Sequence, residues 1–342
     1  MGDGVTDDTE AIQAAIDAVS SVGGAVYLPT PTVSYYIGSQ INLASNVKVF
    51  GDGPSSHVQI KDWSITGFFG SGISGAEVSS LGISCKSLTN PTDYKGAVVF
   101  YNSNSCNAID IVVFNVSYWG VSLWSSSRCI VQNCRFSSFF SPGNDSANIV
   151  IYKNSNNNLV KNNYCAAATW HGILIQDPYT SDTPQGNIIV DNQIYGGQLA
   201  YGIALYVTTQ YDTKTTICGN NVIDVLGTQP AGAGGAGIYA QTGCGSIIDG
   251  NQVANCCQST TNFSTLGMGN IVANGVQTGG KEIIISNNNV ESNKGPGITT
   301  QTSHFGPIIS GNTIRCTSTA SYGIRLVDSS GTKIPVSYTH LR

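Results

Sequence analysis

The sequence contains few charged residues and no long apolar segment. Only 10% of its 342 residues are Asp, Glu, Lys or Arg, and 15 basic against 20 acidic residues give a formal net charge of −5. Because the chain offers no basic stripe for a nucleic-acid backbone, we expect no nucleic-acid partner. No apolar run reaches the roughly 18 residues of a transmembrane helix, so we expect no membrane partner. No signal peptide is recognisable.

The cysteines lack the spacing of a metal site. No pair of Cys-x-x-Cys motifs occurs among the ten cysteines, and Cys256 is adjacent to Cys257. Cys134 and Cys165 fall within a sequence repeat that spans about residues 129 to 316, at positions where a small apolar side chain packs well. We therefore predict mostly reduced, packed thiols, which a free-thiol titration under denaturing conditions would check. No cofactor is evident from these residues.

One short pattern recurs between about residues 129 and 316: an apolar residue, usually Asn three positions later, and another apolar residue two further on. The Asn positions follow one another at steps of 29, 29, 28, 31, 37 and 24 residues. Such periods are typical of solenoids, whose units bury their apolar faces only against stacked neighbours. The pattern occurs at Val160-Asn163-Cys165, Ile189-Asn192-Ile194, Ile217-Asn220-Val222, Ile248-Asn251-Val253, Ile285-Asn288-Val290, Ile309-Asn312-Ile314 and, with Cys in the Asn position, Val131-Cys134-Phe136.

The composition of each repeat favours strands. Apolar residues form short alternating runs, such as the segment from Tyr201 to Leu205, without helical spacing. Sparse Leu disfavours leucine-rich repeats, and periodic Ile and Val disfavour a disordered Asn-rich segment. Asn tolerates left-handed backbone angles, and its amide can bond to the Asn of the next coil. We predict a parallel β-helix with an asparagine ladder.

The first residues predict one helix. Asp7 and Glu10 have the spacing of a capping box. An apolar face with helical spacing follows, made of Ala11, Ile12, Ala15, Ile16 and Val19. A helix set before a stack of coils is best placed over its open end, where it hides unpaired strand edges. Asp3, Asp7 and Asp8 are therefore given capping and turn roles in preference to a metal site.

Three N-terminal segments carry a family resemblance: GDGVTDDTEAIQAAIDA from Gly2, GGAVYLP from Gly23 to Pro29, and SNVKVFGDG from Ser45 to Gly53. Together they resemble the pectate-lyase-like right-handed parallel β-helix superfamily, which includes phage tailspike depolymerases, polysaccharide lyases and alginate epimerases. The resemblance implies an all-β fold, a single-stranded right-handed parallel β-helix (solenoid) with an N-terminal capping α-helix. It does not imply one reaction, because the superfamily also contains hydrolases and non-enzymatic adhesins.

Other family properties follow from the resemblance as expectations. We expect an extracellular or phage-virion location, and a homotrimer if the chain is tailspike-like. Some lyase relatives bind Ca²⁺, so Ca²⁺ binding is a further expectation, although no calcium-loop spacing is recognisable. The Gly-His-Gly and Arg-x-Lys signatures of polygalacturonases are missing. Asp177-Pro178-Tyr179 has Tyr where alginate epimerases have His, so neither reaction is carried over.

We expect a chain cut at both ends. Relatives usually have further residues before the first of the three segments, and the last six residues resemble a translated sequencing adaptor. The predicted division is residues 1–22 as the capping helix, 23–336 as one elongated β-helix domain, and 337–342 as a non-native tail. As a hypothesis, this is a metagenomic gene fragment.

Aligning the coils assigns the faces of one set of strands. The aligned residues are Gly120, Asn148, Gly172, Gly202, Gly237, Gly269, Gly297 and Gly323. Residues one and three positions later are mainly apolar and are predicted to face the interior. The outward column four positions later contains Trp124, Tyr152, Gln176, Tyr206, Gln241, Asn274 or its neighbour, and Gln301.

Rings and amides along one face suit a polysaccharide. Aromatic rings cover the apolar faces of pyranoses, and amides pair with hydroxyls. An ordinary solvated sheet, where neighbouring rings support each other, is the alternative. The predicted substrate-binding residues are Trp124, Tyr152, Gln176, Tyr201, Gln241 and Gln301.

Titratable residues flank this column. A lyase needs a base for the C5 proton and a group that neutralises the uronate, for which Lys153 with Tyr206 or His171 is predicted. Each residue also has a non-catalytic interpretation. His171 could be a structural histidine, and Lys153 could be an ordinary solvated surface residue.

A hydrolase would need two carboxylates instead. Asp177 with Asp182 or Asp212 would supply them, at a separation that the sequence does not give. Asp177 before Pro178 is also a common turn start, and Asp212 lies in a polar loop.

Two classes of function remain open. The first is an enzyme that binds an extended acidic or capsular polysaccharide along an outer face and cleaves or modifies it, as a lyase or glycoside hydrolase. The second is a non-catalytic carbohydrate-binding adhesin, with a mannuronan C5-epimerase-like enzyme as a further alternative.

Overall fold

The fold was examined in a computed structural model of the 342-residue chain. It describes residues 1–327 apart from 88–94, 116–117, 141–145, 169, 178–182, 197–199, 208–212, 226–234, 242–244, 257–268, 275–282, 293–294, 302–306 and 318–321. The predicted tail at 337–342 lies outside the described residues. The chain divides into two compact units, Met1–Thr169 and Trp170–Arg342, which are described separately.

The first unit contains one helix and fifteen strands among its described residues. They are α1 Thr9–Val19, β1 Gly24–Leu28, β2 Tyr35–Ile37, β3 Ile41–Asn42, β4 Val47–Ile60, β5 Phe68–Ser71, β6 Glu77–Cys85, β7 Gly96–Tyr101, β8 Asn107–Ile109, β9 Val112–Phe114, β10 Trp119–Trp124, β11 Ile130–Gln132, β12 Arg135–Phe140, β13 Ala147–Tyr152, β14 Leu159–Lys161 and β15 Tyr164–Ala168.

The described part of the second unit contains strands only. They are β16 His171–Gln176, β17 Ile188–Val190, β18 Gln193–Tyr195, β19 Tyr201–Tyr206, β20 Thr216–Cys218, β21 Asn221–Ile223, β22 Ala236–Gln241, β23 Ile247–Asp249, β24 Gln252–Ala254, β25 Gly269–Asn274, β26 Ile284–Ser286, β27 Asn289–Ser292, β28 Pro296–Gln301, β29 Ile308–Ser310, β30 Thr313–Cys316 and β31 Tyr322–Val327.

Strands pair in parallel with the equivalent strand of the next coil. In the second unit β16 pairs with β19, β17 with β20 and β18 with β21, so each coil contributes three strands. In the first unit β7 pairs with β5 and β10, and β10 pairs with β13. This pairing confirms the predicted all-β, right-handed parallel β-helix.

The predicted asparagine ladder is present. In the second unit the N–H of Asn192 donates to Asn220 Oδ1 at 2.9 Å, and the N–H of Asn220 donates to Asn251 Oδ1 at 3.0 Å. The N–H of Asn251 donates to Asn288 Oδ1 and the N–H of Asn288 to Asn312 Oδ1, each at 2.9 Å. The amides also bond to one another, as between Asn220 Nδ2 and Asn251 Oδ1 at 3.0 Å. These side chains are buried, so the ladder satisfies polar groups that would otherwise be costly inside the coil.

The Cys variant of the pattern makes the equivalent bond in the first unit. In the first unit the N–H of Cys134 donates to Asn163 Oδ1 at 2.9 Å. Burial raises the pKa of the Cys134 thiol to about 12, which keeps it protonated and unreactive. The eight described cysteines have free thiols, and six of them are buried.

One detail of the turn prediction was wrong. The left-handed backbone angle falls on the residue before the ladder position, as at Asn162 with φ 54° and Asn287 with φ 53°. Gly219, Gly250 and Gly311 take the equivalent place in other coils. The ladder residue itself is selected by the hydrogen bonds of its amide, and its neighbour makes the turn.

The N-terminal helix covers a strand edge as predicted. Gln13 Nε2 donates to the carbonyl of Asn42 at 3.0 Å, and the N–H of Asn42 donates to Gln13 Oε1 at 2.7 Å. Asn42 lies on β3, so these bonds satisfy backbone groups of that strand. Ile12 and Ile16 form the buried face of the helix, whereas Ala11 and Ala15 are exposed.

The predicted capping box does not form. The N-cap is Asp8, without a side-chain cap bond, and its buried carboxylate accepts from the N–H of Gly2 at 3.2 Å. Asp7 instead accepts from the N–H of Thr9 at 2.9 Å, and Asp3 from the N–H of Thr6 at 2.7 Å. The acidic residues therefore have the turn roles that the sequence predicts.

Removing one amide tests the ladder. Asn288 accepts from Asn251 and donates to Asn312 and to the carbonyl of Ile248. We expect Asn288→Ala to lower the free energy of unfolding by about 2–3 kcal/mol, because it leaves buried groups unpaired, as measured by urea denaturation. The matched control Asn289→Ala, one residue later and exposed, should change it by less than about 0.5 kcal/mol. Equal losses in the two variants would contradict the ladder.

Candidate functional site

The outer column of the second unit is in register. Gln176 lies opposite Tyr206, Tyr206 opposite Gln241, and Gln241 opposite Asn274. Asn274 is opposite Gln301, whose side chain lies outside the described residues. The sequence alignment was one residue off in a single coil, because Gly269 lies opposite Ala236 and so Asn270 opposite Gly237. This shift places Asn274 in the column.

A glycine near the start of β16 and of β19 brings a further side chain to this face. In the pairing of β16 with β19, His171 lies opposite Tyr201 and the next paired residues are Ile173 and Ile203, so the glycines between them are not paired. A Cβ on Gly202 would lie 2.5 Å from Val222 Cγ1, and Val222 is fully buried. The glycine therefore points inward, as does the Ile after it, and strict alternation is interrupted. Consequently the residue before the glycine shares the outer face with the residue four positions after it.

Four rings meet on the outer face of the second unit, and we call them the second-unit cluster: His171, Tyr201, Tyr206 and Tyr239. The His171 ring is stacked on Tyr201, with centroids 5.6 Å apart and planes at 5°, and meets Tyr206 edge-on at 5.8 Å. Tyr239 stacks on Tyr201 at 4.4 Å and lies 5.1 Å from Tyr206. The structure therefore brings together three predicted site residues.

Exposure differs within the second-unit cluster. His171 and Tyr201 are 2% and 4% exposed, whereas Tyr206 is partly exposed. Gln176 and Gln241, the neighbours of Tyr206 in the column, are also partly exposed. A ligand on this face would thus meet Tyr206 and the two amides first, with Tyr201 as support beneath.

Asp177 lies directly after the column residue Gln176. It is 1% exposed, and its N–H donates to the carbonyl of Tyr206 at 3.0 Å. This bond ties the residue to the strand that carries Tyr206. Asp182 and Asp212 lie outside the described residues, so the carboxylate pair of a hydrolase stays a prediction.

A second group of rings lies on the first unit, and we call it the first-unit cluster: Tyr101, Trp119, Trp124 and Tyr152. Tyr101, Trp124 and Tyr152 are opposite one another on β7, β10 and β13. Trp124 meets Tyr101 edge-on at 5.3 Å and Tyr152 at 5.2 Å, and Trp119 lies 6.1 Å from Trp124. Tyr152 and Trp119 are buried, whereas Trp124 and Tyr101 are partly exposed.

Lys153 accompanies the first-unit cluster. Its Nζ lies 5.3 Å from the centroid of the Trp124 ring, which is cation–π range. An ammonium beside a partly exposed indole can face an anionic group on a sugar that packs against the ring. Lys153 belongs to the first unit and His171 and Tyr206 to the second, so their pairing in a lyase stays a prediction.

Sequence reasoning missed Tyr101, Trp119 and Tyr239. An available signal was the recurring aromatic-Gly pair, seen at Trp119-Gly120, His171-Gly172, Tyr201-Gly202 and Tyr322-Gly323. Tyr101 belongs to a coil earlier than those aligned. Tyr239 lies two residues before the column residue Gln241, so strand alternation was the signal that places it on the outer face.

No group of three or more His, Cys, Asp or Glu side chains is arranged to hold a metal ion within the described part of the chain. No helix in that part is long and apolar enough to cross a membrane.

Removing a buried ring tests the packing of the second-unit cluster. Tyr201 lies between His171 and Tyr239, so we expect Tyr201→Leu to lower the free energy of unfolding by about 1–3 kcal/mol, measured by urea denaturation. Tyr195→Leu, a partly exposed tyrosine of the same unit, is the control and should cost less than about 1 kcal/mol. A loss for Tyr201→Leu no larger than for the control would contradict the stacking.

A parallel β-helix whose coils pair strand for strand in register is the architecture of pectate-lyase-like proteins. The chain belongs to the rhamnogalacturonase A/epimerase, pectate lyase-like family, whose model matches residues 1–256. The description of that family names carbohydrate-active enzymes.

Individual proteins show the same relationship. The chain is 38% identical over 109 residues to mannuronan C5-epimerase AlgE1 of Azotobacter vinelandii, over 29% of this chain and 8% of that protein. It is 37% identical over 114 residues to the tail spike protein of Shigella phage Sf6, over 32% of this chain and 16% of that protein. It thus matches less than a fifth of the length of either relative.

A solved structure extends the likeness over nearly the whole chain. The surface adhesin PfbA of Streptococcus pneumoniae has a TM-score of 0.67 at 17% identity, covering 96% of this chain and 97% of that one. At this identity the likeness supports the fold alone.

Proposed function

We propose that the protein binds an extended polysaccharide along the outer face that carries the column residues, and that it cleaves or modifies the bound chain. The observation that carries the proposal is the column Gln176, Tyr206 and Gln241, held in register on successive coils. Membership of a carbohydrate-active family supports it.

The column suits an extended sugar chain. Tyr206 offers a partly exposed ring to the apolar face of one pyranose, and the amides of Gln176 and Gln241 are on the coils to either side. Adjacent parallel strands lie about 4.8 Å apart, so neighbouring coils can contact one sugar or two consecutive sugars. Amides donate and accept hydrogen bonds at once, as hydroxyl recognition requires.

His171 and Asp177 are our candidates for acid–base chemistry. The stacking of His171 on Tyr201, edge-on to Tyr206, would hold its ring in one orientation. Asp177 is the next residue after Gln176 and is tied to Tyr206 by a backbone bond. Because both side chains are buried, chemistry on a sugar would require local opening around Tyr206.

Three reactions are compatible with these groups. A lyase would use His171 or Tyr206 as base and would need a cation to neutralise the uronate. A hydrolase would add Asp212 or Asp182 to Asp177. An epimerase would exchange the C5 proton without cutting the chain, and the local identity to mannuronan C5-epimerase AlgE1 supports this option.

A non-catalytic carbohydrate-binding protein is the second candidate. The burial of His171 and Asp177 favours it, because a residue 1–2% exposed is poorly placed to meet substrate. The fold-level likeness to the adhesin PfbA is compatible with it. In either case we propose an extracellular or virion location, and leave Ca²⁺ dependence and a homotrimer to be tested.

A panel assay separates these candidates. The protein is incubated with polyuronates and capsular polysaccharides, with calcium or with a chelator. Ultraviolet absorbance from unsaturated ends indicates a lyase, reducing ends without absorbance a hydrolase, and a changed uronate composition by proton NMR without cleavage an epimerase. Binding with none of these signals contradicts the enzyme and supports the adhesin, and no binding to any member of the panel contradicts both.

Conservative variants test the assigned residues. We expect His171→Gln and Asp177→Asn each to lower activity at least 100-fold, because general acid–base catalysis typically contributes 10²–10⁴-fold. Substrate affinity should change little, and because both side chains are buried, each variant is assayed at a temperature where circular dichroism shows it to be fully folded. Asp191→Asn, on an exposed turn of the same coil, is the control and should retain full activity. Near-full activity in either test variant removes that residue from the mechanism.

A further inference from the structure

The first coils of the first unit expose a pair of rings that belongs to neither aromatic cluster. Tyr27 on β1 lies opposite Phe50 on β4, with ring centroids 5.2 Å apart and planes at 33°. Tyr27 is 50% exposed, more than any other aromatic side chain whose exposure the structure describes. A single exposed ring is ordinary on a protein surface, but Phe50 beside it is also partly exposed, so the two rings offer one apolar surface to a ligand.

The exposed ring is fixed in place. The Tyr27 hydroxyl donates to Asp52 Oδ1 at 2.6 Å. The other carboxylate oxygen accepts from the N–H of Thr30 at 2.9 Å and from its hydroxyl at 3.2 Å. A ring anchored at its tip and packed against Phe50 loses little conformational entropy when a ligand packs on it.

The charges around the rings sum to a negative value. Lys48 Nζ lies 5.3 Å from the centroid of Phe50 but is paired with Glu77 Oε1 at 2.8 Å. Asp52 remains as the uncompensated charge, and its hydrogen bonds from Tyr27 and Thr30 lower its pKa. An anionic sugar would be repelled here, whereas the hydroxyls of a neutral sugar could donate to the carboxylate.

We propose that Tyr27, Phe50 and Asp52 form a binding site for neutral pyranose sugars, separate from the polysaccharide face of the proposed function. The two rings would cover the apolar face of one sugar, and Asp52 would accept hydrogen bonds from its hydroxyls. The site would hold a neutral glycan without acting on it, since its one carboxylate, Asp52, already accepts hydrogen bonds from Tyr27 and Thr30.

Calorimetric titration of the full chain tests this site. The probes are cellotetraose and mannotetraose as neutral sugars and tetragalacturonate as the acidic one. We expect at least one neutral probe to bind more tightly than tetragalacturonate, and Tyr27→Ala to weaken that binding roughly tenfold. Asp52→Asn, which keeps both rings, should weaken it a few-fold, and Val33→Ala, at another exposed apolar residue of this unit, should not change it.

Each result is decisive. Unchanged neutral-sugar binding in Tyr27→Ala, absence of heat with both neutral probes, or tighter binding of tetragalacturonate at this site would overturn the proposal. If Tyr27→Ala fails to fold, Asp52→Asn and saturation-transfer NMR of the unaltered protein decide, with Tyr27 protons as the expected source of transfer. Loss of neutral-sugar binding in Tyr206→Ala but not in Tyr27→Ala assigns the binding to the other face and overturns the site.

Discussion

The in-register pairing of each coil with the next is the constraint on which the structure depends. A coil of short strands cannot satisfy its own backbone or bury its own apolar face. The ladder from Asn192 to Asn312 fixes the register, because each buried amide bonds to the backbone and to the amide of the next coil. A one-residue slip would leave these groups unpaired inside the coil, at a cost of about 1–3 kcal/mol each.

Register also organises the surface. Because equivalent residues are superposed, one strand position repeated along the chain becomes a column, as Gln176, Tyr206 and Gln241 do. The inward glycine near the start of β16 and of β19 adds a second outer position, occupied by His171 and Tyr201. Rings from these positions meet Tyr206, and Tyr239 joins them from the position two residues before the column. Two aromatic clusters result, one within each unit, and Tyr206 is left partly exposed on a buried support.

Much of this arrangement is predictable from the sequence, and there are physical reasons why the remainder is not. The ladder, the inward Ile columns and the covering helix follow from periodicity and composition. The residue with left-handed backbone angles was predicted one position too late in the sequence, because Asn suits both the turn position and the ladder position. The ring contacts of Tyr239 and the burial of His171 arise between coils that are joined by loops of unequal length. The same unequal lengths made the repeat spacing irregular and caused the misalignment of Gly269.

The central claim is that the column on the outer face of the second unit holds the saccharide. A crystal structure of the protein with a bound oligosaccharide, chosen from the polysaccharide on which it acts or to which it binds, tests that claim most directly. The account predicts a pyranose packed on the Tyr206 ring with hydroxyls bonded to Gln176 or Gln241. A saccharide seated on another surface, with this column unoccupied at saturating ligand, would contradict it.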